Sequence, residues 1–306
     1  MSHRRAVMLM ILVALLWSMA GVVSRHLEAA RSFEVTFWRS AFNALALAIA
    51  LTALRGPRLW SDLARAPRVV WASGLCWAVM YTAFMLALTL TTVANVLVIM
   101  ALGPLMTALL ARLFLAQRLP PRTWLAIVLA GGGVVWMFAR QLGAGVSLAG
   151  SVLALAVPLA AAINWTLLQA AGHRDVASSV EGTVAPDMLP AVLLGAMISA
   201  VATLPLAWPL QATAHDIGLL GFLGAFQLAL PCLLVVRLSR VLSGAEISLL
   251  GLLELVFGVG LVWLGAGEVP GSDTLIGGAL VVVALFLNEL LALPARRQPG
   301  ARPTRP

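Results

Sequence analysis

The stretch SGAEISLLGLLELVFGVGLVWLG, residues 243–265, contains two acids and no base among otherwise apolar or small side chains. About 20 apolar residues in helical form span the roughly 30 Å hydrocarbon layer of a bilayer. Nine further segments of that kind occur, so that ten spans are expected at about 6–24, 33–54, 68–90, 92–115, 122–139, 147–171, 188–208, 216–236, 242–264 and 274–293. Composition agrees: 61% of the 306 residues are hydrophobic and 10% charged, with a mean hydropathy of +1.00. A soluble domain carries about 25% charge. The expected fold is an all-α polytopic membrane protein.

A net charge of +8 would suggest nucleic acid in a soluble chain, but here the bases sit between the spans. All twenty basic residues are Arg, which fits a GC-rich, bacterial coding sequence. With ten spans and a cytoplasmic N-terminus, sixteen of the twenty fall on the cytoplasmic side, as the positive-inside rule requires. The outer side keeps Arg25, Arg31, Arg39 and Arg140 beside Glu28, Glu34, Asp216, Glu268 and Asp273. This places the chain in the inner (plasma) membrane with both termini cytoplasmic. Arg4-Arg5 before an apolar run imitates a signal peptide, but no small-x-small site follows, so an uncleaved first helix is expected. Breaks between spans carry turn chemistry at Gly56-Pro57, Pro120-Pro121, Gly143-Ala144-Gly145 and Pro270-Gly271. Cys76 and Cys232 fall inside spans and read as free thiols.

A shift of 151 residues lays the second half on the first: Ala94 on Ala245, Leu102 on Leu253, Leu113 on Leu264, Thr123 on Thr274. The expected organisation is residues 1–142 and 143–293 as two five-helix repeats, then a disordered cytoplasmic tail, 294–306. Five spans per repeat invert the second relative to the first, the architecture of many secondary transporters.

Several stretches are together similar to the EamA-type transporters of the drug/metabolite transporter superfamily, over about residues 6–291. They are Trp17-Ser18, Phe37-Trp38-Arg39, Leu102-Gly103-Pro104-Leu105 through Gln117, Gly224-Ala225-Phe226-Gln227, Ala245 to Glu254, and Gly267-Glu268-Val269-Pro270. The resemblance implies a ten-helix carrier of small organic solutes (amino acids, other metabolites or amphipathic and cationic compounds) working by alternating access. The family often has Glu-Pro where this chain has Glu254-Leu255, which removes a helix kink expected in span 9.

Ionisable groups deep in a bilayer cost roughly 2.5–3.5 kcal/mol each on insertion scales and mark function. Glu254, about 16 Å along span 9 at 1.5 Å per residue, is the foremost candidate for substrate binding or proton coupling. Glu246 is a second, although Ser243-Gly244-Ala245-Glu246 also reads as a capping box; Asn95 occupies the matching place in span 4. Glu246 and Glu254 could line one vestibule, while glycines 244, 251, 258 and 265 would form a close-packing seam. Trp17, Trp77, Tyr81, Asn164, Trp165 and Gln227 could build an aromatic and amide pocket, against the plainer reading of helix packing. Pro104, Pro158 and Pro231 are candidate gating points. Arg39 lies near the outer end of span 2 and is expected to snorkel to the interface. No base would then remain at the midplane, which disfavours polyanionic substrates.

No nucleophile elbow, metal-binding cluster or nucleotide-binding glycine loop occurs, so no enzyme activity, cofactor, metal or nucleic-acid partner is expected. His3, His26, His173 and His215 lie near ends or loops. The resulting expectation is a secondary active exporter driven by protons or exchange. Its cavity would lie between spans 1, 3, 4, 6, 8 and 9, with a small-molecule substrate and the lipid bilayer as its partners. A non-transporting membrane enzyme or scaffold, or a passive channel, are the alternatives.

Overall fold

The computed structural model describes residues 1–30, 32–91, 93–139, 147–181, 186–266 and 270–295. Among these, nine helical segments are long and apolar enough to cross a membrane, and a shorter apolar run supplies a tenth. Span 1 is α1 (His3–Ser24), span 2 α2 (Ser32–Arg55) and span 3 α4 (Arg68–Leu90), after a short α3 (Arg58–Ala64) between the two. Span 4 is broken into α5 (Val93–Met100) and α6 (Gly103–Leu115), and span 5 is α7 (Pro121–Phe138). Span 6 is α8 (Leu148–Glu181), ten residues longer than expected, and span 7 is α9 (Leu189–Ala207). Span 8 comprises α10 (Ala214–Phe222), a π-helix at Leu223–Ala229 and α11 (Leu230–Leu238). Span 9 is broken into α12 (Gly244–Gly251) and α13 (Leu253–Ala266), and span 10 is α14 (Ser272–Ala295).

The surface is inverted relative to a soluble protein. Leu113, Val201 and Leu264 face outward, more than 70% exposed, while Ser40, Asn43, Ser73, Asn164 and Ser199 are buried. In hydrocarbon a polar group must be satisfied by the protein itself. The interior therefore carries bonds between spans: Ser199 sits 3.0 Å from Ser40 and 2.9 Å from Thr82, and Ser73 donates to the Asn164 amide oxygen at 2.6 Å.

Packing follows a two-fold exchange of the two five-helix units. Span 2 packs on span 7 and span 5 on span 10, each against its own counterpart. Span 1 meets α13 as span 6 meets α6, and span 3 meets span 7 as span 8 meets span 2. The helix breaks obey the same relation. Span 4 interrupts at Ala101-Leu102 and span 9 at Leu252, one shift of 151 residues apart. Span 9 is thus discontinuous without a proline, which corrects the expectation drawn from Leu255. Pro104 lies in the first turn of α6 and Pro231 follows the π-helix, whereas Pro158 sits within an unbroken α8.

The glycine seam of span 9 is only partly a seam. A Cβ on Gly244 would stand 3.0 Å from Trp165 Cβ and one on Gly265 2.6 Å from Val22 Cγ2, but Gly251 and Gly258 have nothing within 4 Å. A close backbone approach lies between spans 5 and 10, where a Cβ on Gly133 would come within 2.7 Å of the Gly277 carbonyl oxygen. The proposed tail shortens, since α14 includes Pro294 and Ala295; residues 296–306, like Gly143–Gly145, Arg140 and Glu268, lie outside the described residues.

At the face where span 2 begins, two carboxylates bind each other's neighbourhoods. Glu34, in the first turn of α2, accepts the backbone N–H groups of Gln211 and Ala212 at 2.9 and 2.8 Å, just before α10. Asp216, in the first turn of α10, accepts those of Glu28, Ala29 and Ala30 at 2.8–3.0 Å, just before α2. Each carboxylate so satisfies donors that lead into the other helix, and spans 2 and 8 are joined at this face.

Overpacking a close backbone contact costs about 1–3 kcal/mol. Gly277→Val should therefore lower the thermal unfolding midpoint in detergent by several degrees, while Gly251→Ala, where the space is open, leaves it within a degree or two.

Candidate functional site

Span 2 carries Thr36, Arg39, Ser40 and Asn43 at three- and four-residue spacing, so one stripe of the helix is polar and all four are buried. Arg39 is 6% exposed and its Nε has no hydrogen-bond partner. Seven residues from the start of α2, it lies about 10 Å along the helix. The expected snorkelling does not occur. Helix α9 and the π-helix of span 8 pack most closely on α2, and Gly224 of the π-helix lies against the Arg39 and Asn43 backbone, so the side chain is enclosed among helices. The electrostatic neighbours of its guanidinium are Tyr81 on span 3, Cys232 on span 8 and Glu254 on span 9. The buried interior therefore has a base, and the argument against anionic groups in a substrate no longer holds.

Around this arginine the spans converge. Tyr81 donates its hydroxyl to Cys232 Sγ at 3.4 Å and lies beside the Asn43 amide, neither atom of which reaches a partner in good geometry. The Trp17 indole approaches Cys232, and the Trp17 carbonyl accepts the Gln227 amide N–H at 2.9 Å. Gln227 belongs to the π-helix, a distortion common at functional sites because it rotates one turn of side chains out of register. Its Oε1 is buried with no partner. Glu254, half-buried, stands in the first turn of α13, directly after the break in span 9. It is an electrostatic neighbour of Arg39 and forms no direct ion pair with it.

A second layer lies next to this cluster. Trp77 stacks on Tyr81 with ring centroids 5.7 Å apart and meets Trp165 edge-on at 5.5 Å. Trp77 Nε1 and Asn164 Nδ2 are also buried without partners. Six orphan polar atoms, on Arg39, Asn43, Trp77, Asn164 and Gln227, thus occur in the protein interior. Each such group costs about 1–3 kcal/mol unless something supplies its bond.

The remaining candidates lie elsewhere. Glu246 closes a capping box with Ser243, and its Oε1 meets His3 Nε2 at 3.1 Å. Glu246 and Glu254 stand in the first turns of α12 and α13, on either side of the break at Leu252. Asn95 donates to Thr91 and Ser151, tying the start of span 4 to the start of span 6, and its expected capping partner Thr92 is outside the described residues. Near Glu246, Gln169 accepts from the Gly244 N–H at 3.0 Å and donates to Gln117 at 2.8 Å, which clasps spans 4, 6 and 9. Both cysteines are free, as expected.

The fold and interior define a class: a multi-pass helical membrane protein of two inverted five-helix units with a polar cluster between them. Residues 4–139 match the EamA-like transporter family. A Pseudomonas aeruginosa protein described as an uncharacterized transporter is 29% identical over 139 residues, 44% of this chain and 47% of that one. The chain therefore matches about half the length of that curated relative. A solved crystal structure superposes over 96% of this chain and 99% of its own with a TM-score of 0.75 at 19% identity, which establishes a shared fold. Residues 4–139 thus resemble an EamA-like transporter domain, and the chain is a multi-pass helical membrane protein.

Loss of an N-cap side chain costs about 1 kcal/mol. Ser243→Ala should lower unfolding stability by that amount in a chemical denaturation series, and leave ligand binding at the Arg39 cluster unchanged.

Proposed function

We propose that the chain is a secondary transporter that carries small zwitterionic organic solutes, amino acids among them, across the inner membrane by alternating access. The observation that carries this reading is Arg39 with Glu254 as an electrostatic neighbour and no direct ion pair between them, among orphan amide atoms. A guanidinium binds a carboxylate through two parallel charge-assisted bonds. A carboxylate opposite it, with the free Gln227 Oε1, accepts from an ammonium group. A zwitterion of that size neutralises both protein charges at once, and its apolar part would rest on Trp17, Trp77 and Tyr81.

The surrounding architecture supports movement around such a site. Broken helices at matching places in two inverted repeats are a recurring feature of carriers, in which one bundle rocks against the other. The Gln117–Gln169–Gly244 clasp closes the arginine-rich face, which by the positive-inside rule is cytoplasmic and holds both termini. Clasped spans on one side of an isolated polar cluster favour a carrier over a channel, which needs a continuous polar path. Glu254 is the group through which proton coupling would act; exchange of one solute for another needs no such step.

Counterflow in proteoliposomes tests the reading, using a neutral amino acid, its amide and its deaminated acid. Loss of a bond to a charged group costs about 1.5–3 kcal/mol, or roughly 10- to 150-fold in affinity. Arg39→Gln should weaken the amino acid by that factor and erase its advantage over the amide. Glu254→Gln should erase its advantage over the deaminated acid. Unchanged counterflow in both variants would overturn the assignment.

A further inference from the structure

We propose that the orphan donors of Trp77 and Asn164 form a side-chain subsite of the Arg39 cluster. It selects zwitterions whose side chain ends in an uncharged hydrogen-bond acceptor, such as a carbonyl or sulfoxide oxygen. The proposal rests on the zwitterion reading above and adds to it what the rest of the solute carries. Span 3 presents Ser73, Trp77 and Tyr81 at four-residue spacing, so the three buried side chains lie on one stripe of α4. Tyr81 joins the central cluster through Cys232, and Trp77 stacks on it one turn away. A turn further, Ser73 donates to Asn164 Oδ1 at 2.6 Å. Trp165, next to Asn164 on span 6, meets Trp77 edge-on. The Asn164 amide and the Trp77 indole thus belong to one contact between spans 3 and 6. Gly195 of span 7 and Gly244 of span 9 lie against the Cβ atoms of Trp77 and Trp165, which anchors both side chains at their root.

The chemistry left open at this contact is one-sided. Ser73 occupies the acceptor of the Asn164 amide, and the buried Nδ2 has no partner. An indole nitrogen only donates, and Trp77 Nε1 is likewise buried without a partner. Ser73, Trp77, Asn164 and Trp165 are all uncharged. Two neutral donors beside an aromatic wall suit an oxygen that accepts without donating, since a carbonyl-type oxygen has two lone pairs to offer. An aliphatic side chain would leave both donors desolvated and unpaired, which is the costly outcome for a buried polar group. A side chain ending in an ammonium would bring further donors and a charge with no acceptor among these four residues. Length fits as well. One turn of span 3 between Tyr81 and Trp77 is about 6 Å at 1.5 Å per residue, a distance that an unbranched side chain of methionine length covers.

The test is competition in proteoliposome counterflow between methionine and methionine sulfoxide, which share a skeleton and differ by one neutral acceptor oxygen. A neutral hydrogen bond is worth roughly 2- to 10-fold in affinity, so two predict that the sulfoxide competes at least about fivefold better. Trp77→Phe keeps an aromatic ring and removes one donor, and Asn164→Leu removes the other at similar volume. Each should cut the advantage of the sulfoxide by roughly 2- to 10-fold. Arg39→Gln should weaken both amino acids alike and preserve their ratio. Equal competition by the two in the unaltered protein, or an advantage unchanged in either subsite variant, would overturn the subsite and leave the zwitterion site standing. No counterflow of either amino acid, or no effect of Arg39→Gln on either, would overturn the zwitterion site and the subsite with it.

Discussion

A charged guanidinium inside the hydrocarbon layer is the constraint around which this interior is arranged. Arg39 cannot reach water along its own helix, and roughly 2.5–3.5 kcal/mol of insertion cost has to be offset by its surroundings. Tyr81, Cys232 and Glu254 come from three other spans to meet it. Yet the surroundings stop short of full satisfaction. Nε of Arg39, both polar atoms of Asn43 and Oε1 of Gln227 remain without partners. An interior built for stability alone would close these bonds, since a direct Arg39–Glu254 pair would remove the largest deficit. Their remaining open is the physical case for a solute that completes them.

Two kinds of contact around the cluster differ in character. The Glu34 and Asp216 carboxylates bind backbone donors across the loops of spans 1–2 and 7–8, so those elements are suited to move as one body. The clasp at the opposite face uses neutral amide side chains, Gln117 and Gln169, on the Gly244 backbone. Neutral hydrogen bonds are individually modest, about 0.5–1.5 kcal/mol, and exchange readily with water. Spans 4 and 9, each already interrupted near its middle, are the elements this clasp would release.

Much of the fold was legible in the amino-acid sequence because membrane spans are set by length and hydropathy. The ten spans, the repeat shift of 151 residues, the capping box at Ser243 and the free thiols were all readable there. The break in span 9 was not, because the sequence cue sought was a proline, whereas the chain interrupts at Leu252 between two leucines. Nor was the depth of Arg39. Position along a helix suggested an interfacial arginine, but enclosure depends on which neighbours pack over it, and that is a tertiary property. One local signal was available: Thr36, Arg39, Ser40 and Asn43 fall on a single helical stripe, which marks the inward face of span 2. Among the candidates, Trp17, Tyr81, Gln227 and Glu254 come together around Arg39, Trp77 packs beside them, and Glu246 and Asn95 serve helix ends.

The most direct measurement is a high-resolution structure of the full chain in lipid nanodiscs with a saturating neutral amino acid. The account predicts ligand density between Arg39 and Glu254, its carboxylate on the guanidinium and its ammonium toward Glu254 and Gln227. A direct Arg39–Glu254 ion pair with no ligand between them, or ligand bound away from this cluster, would contradict it.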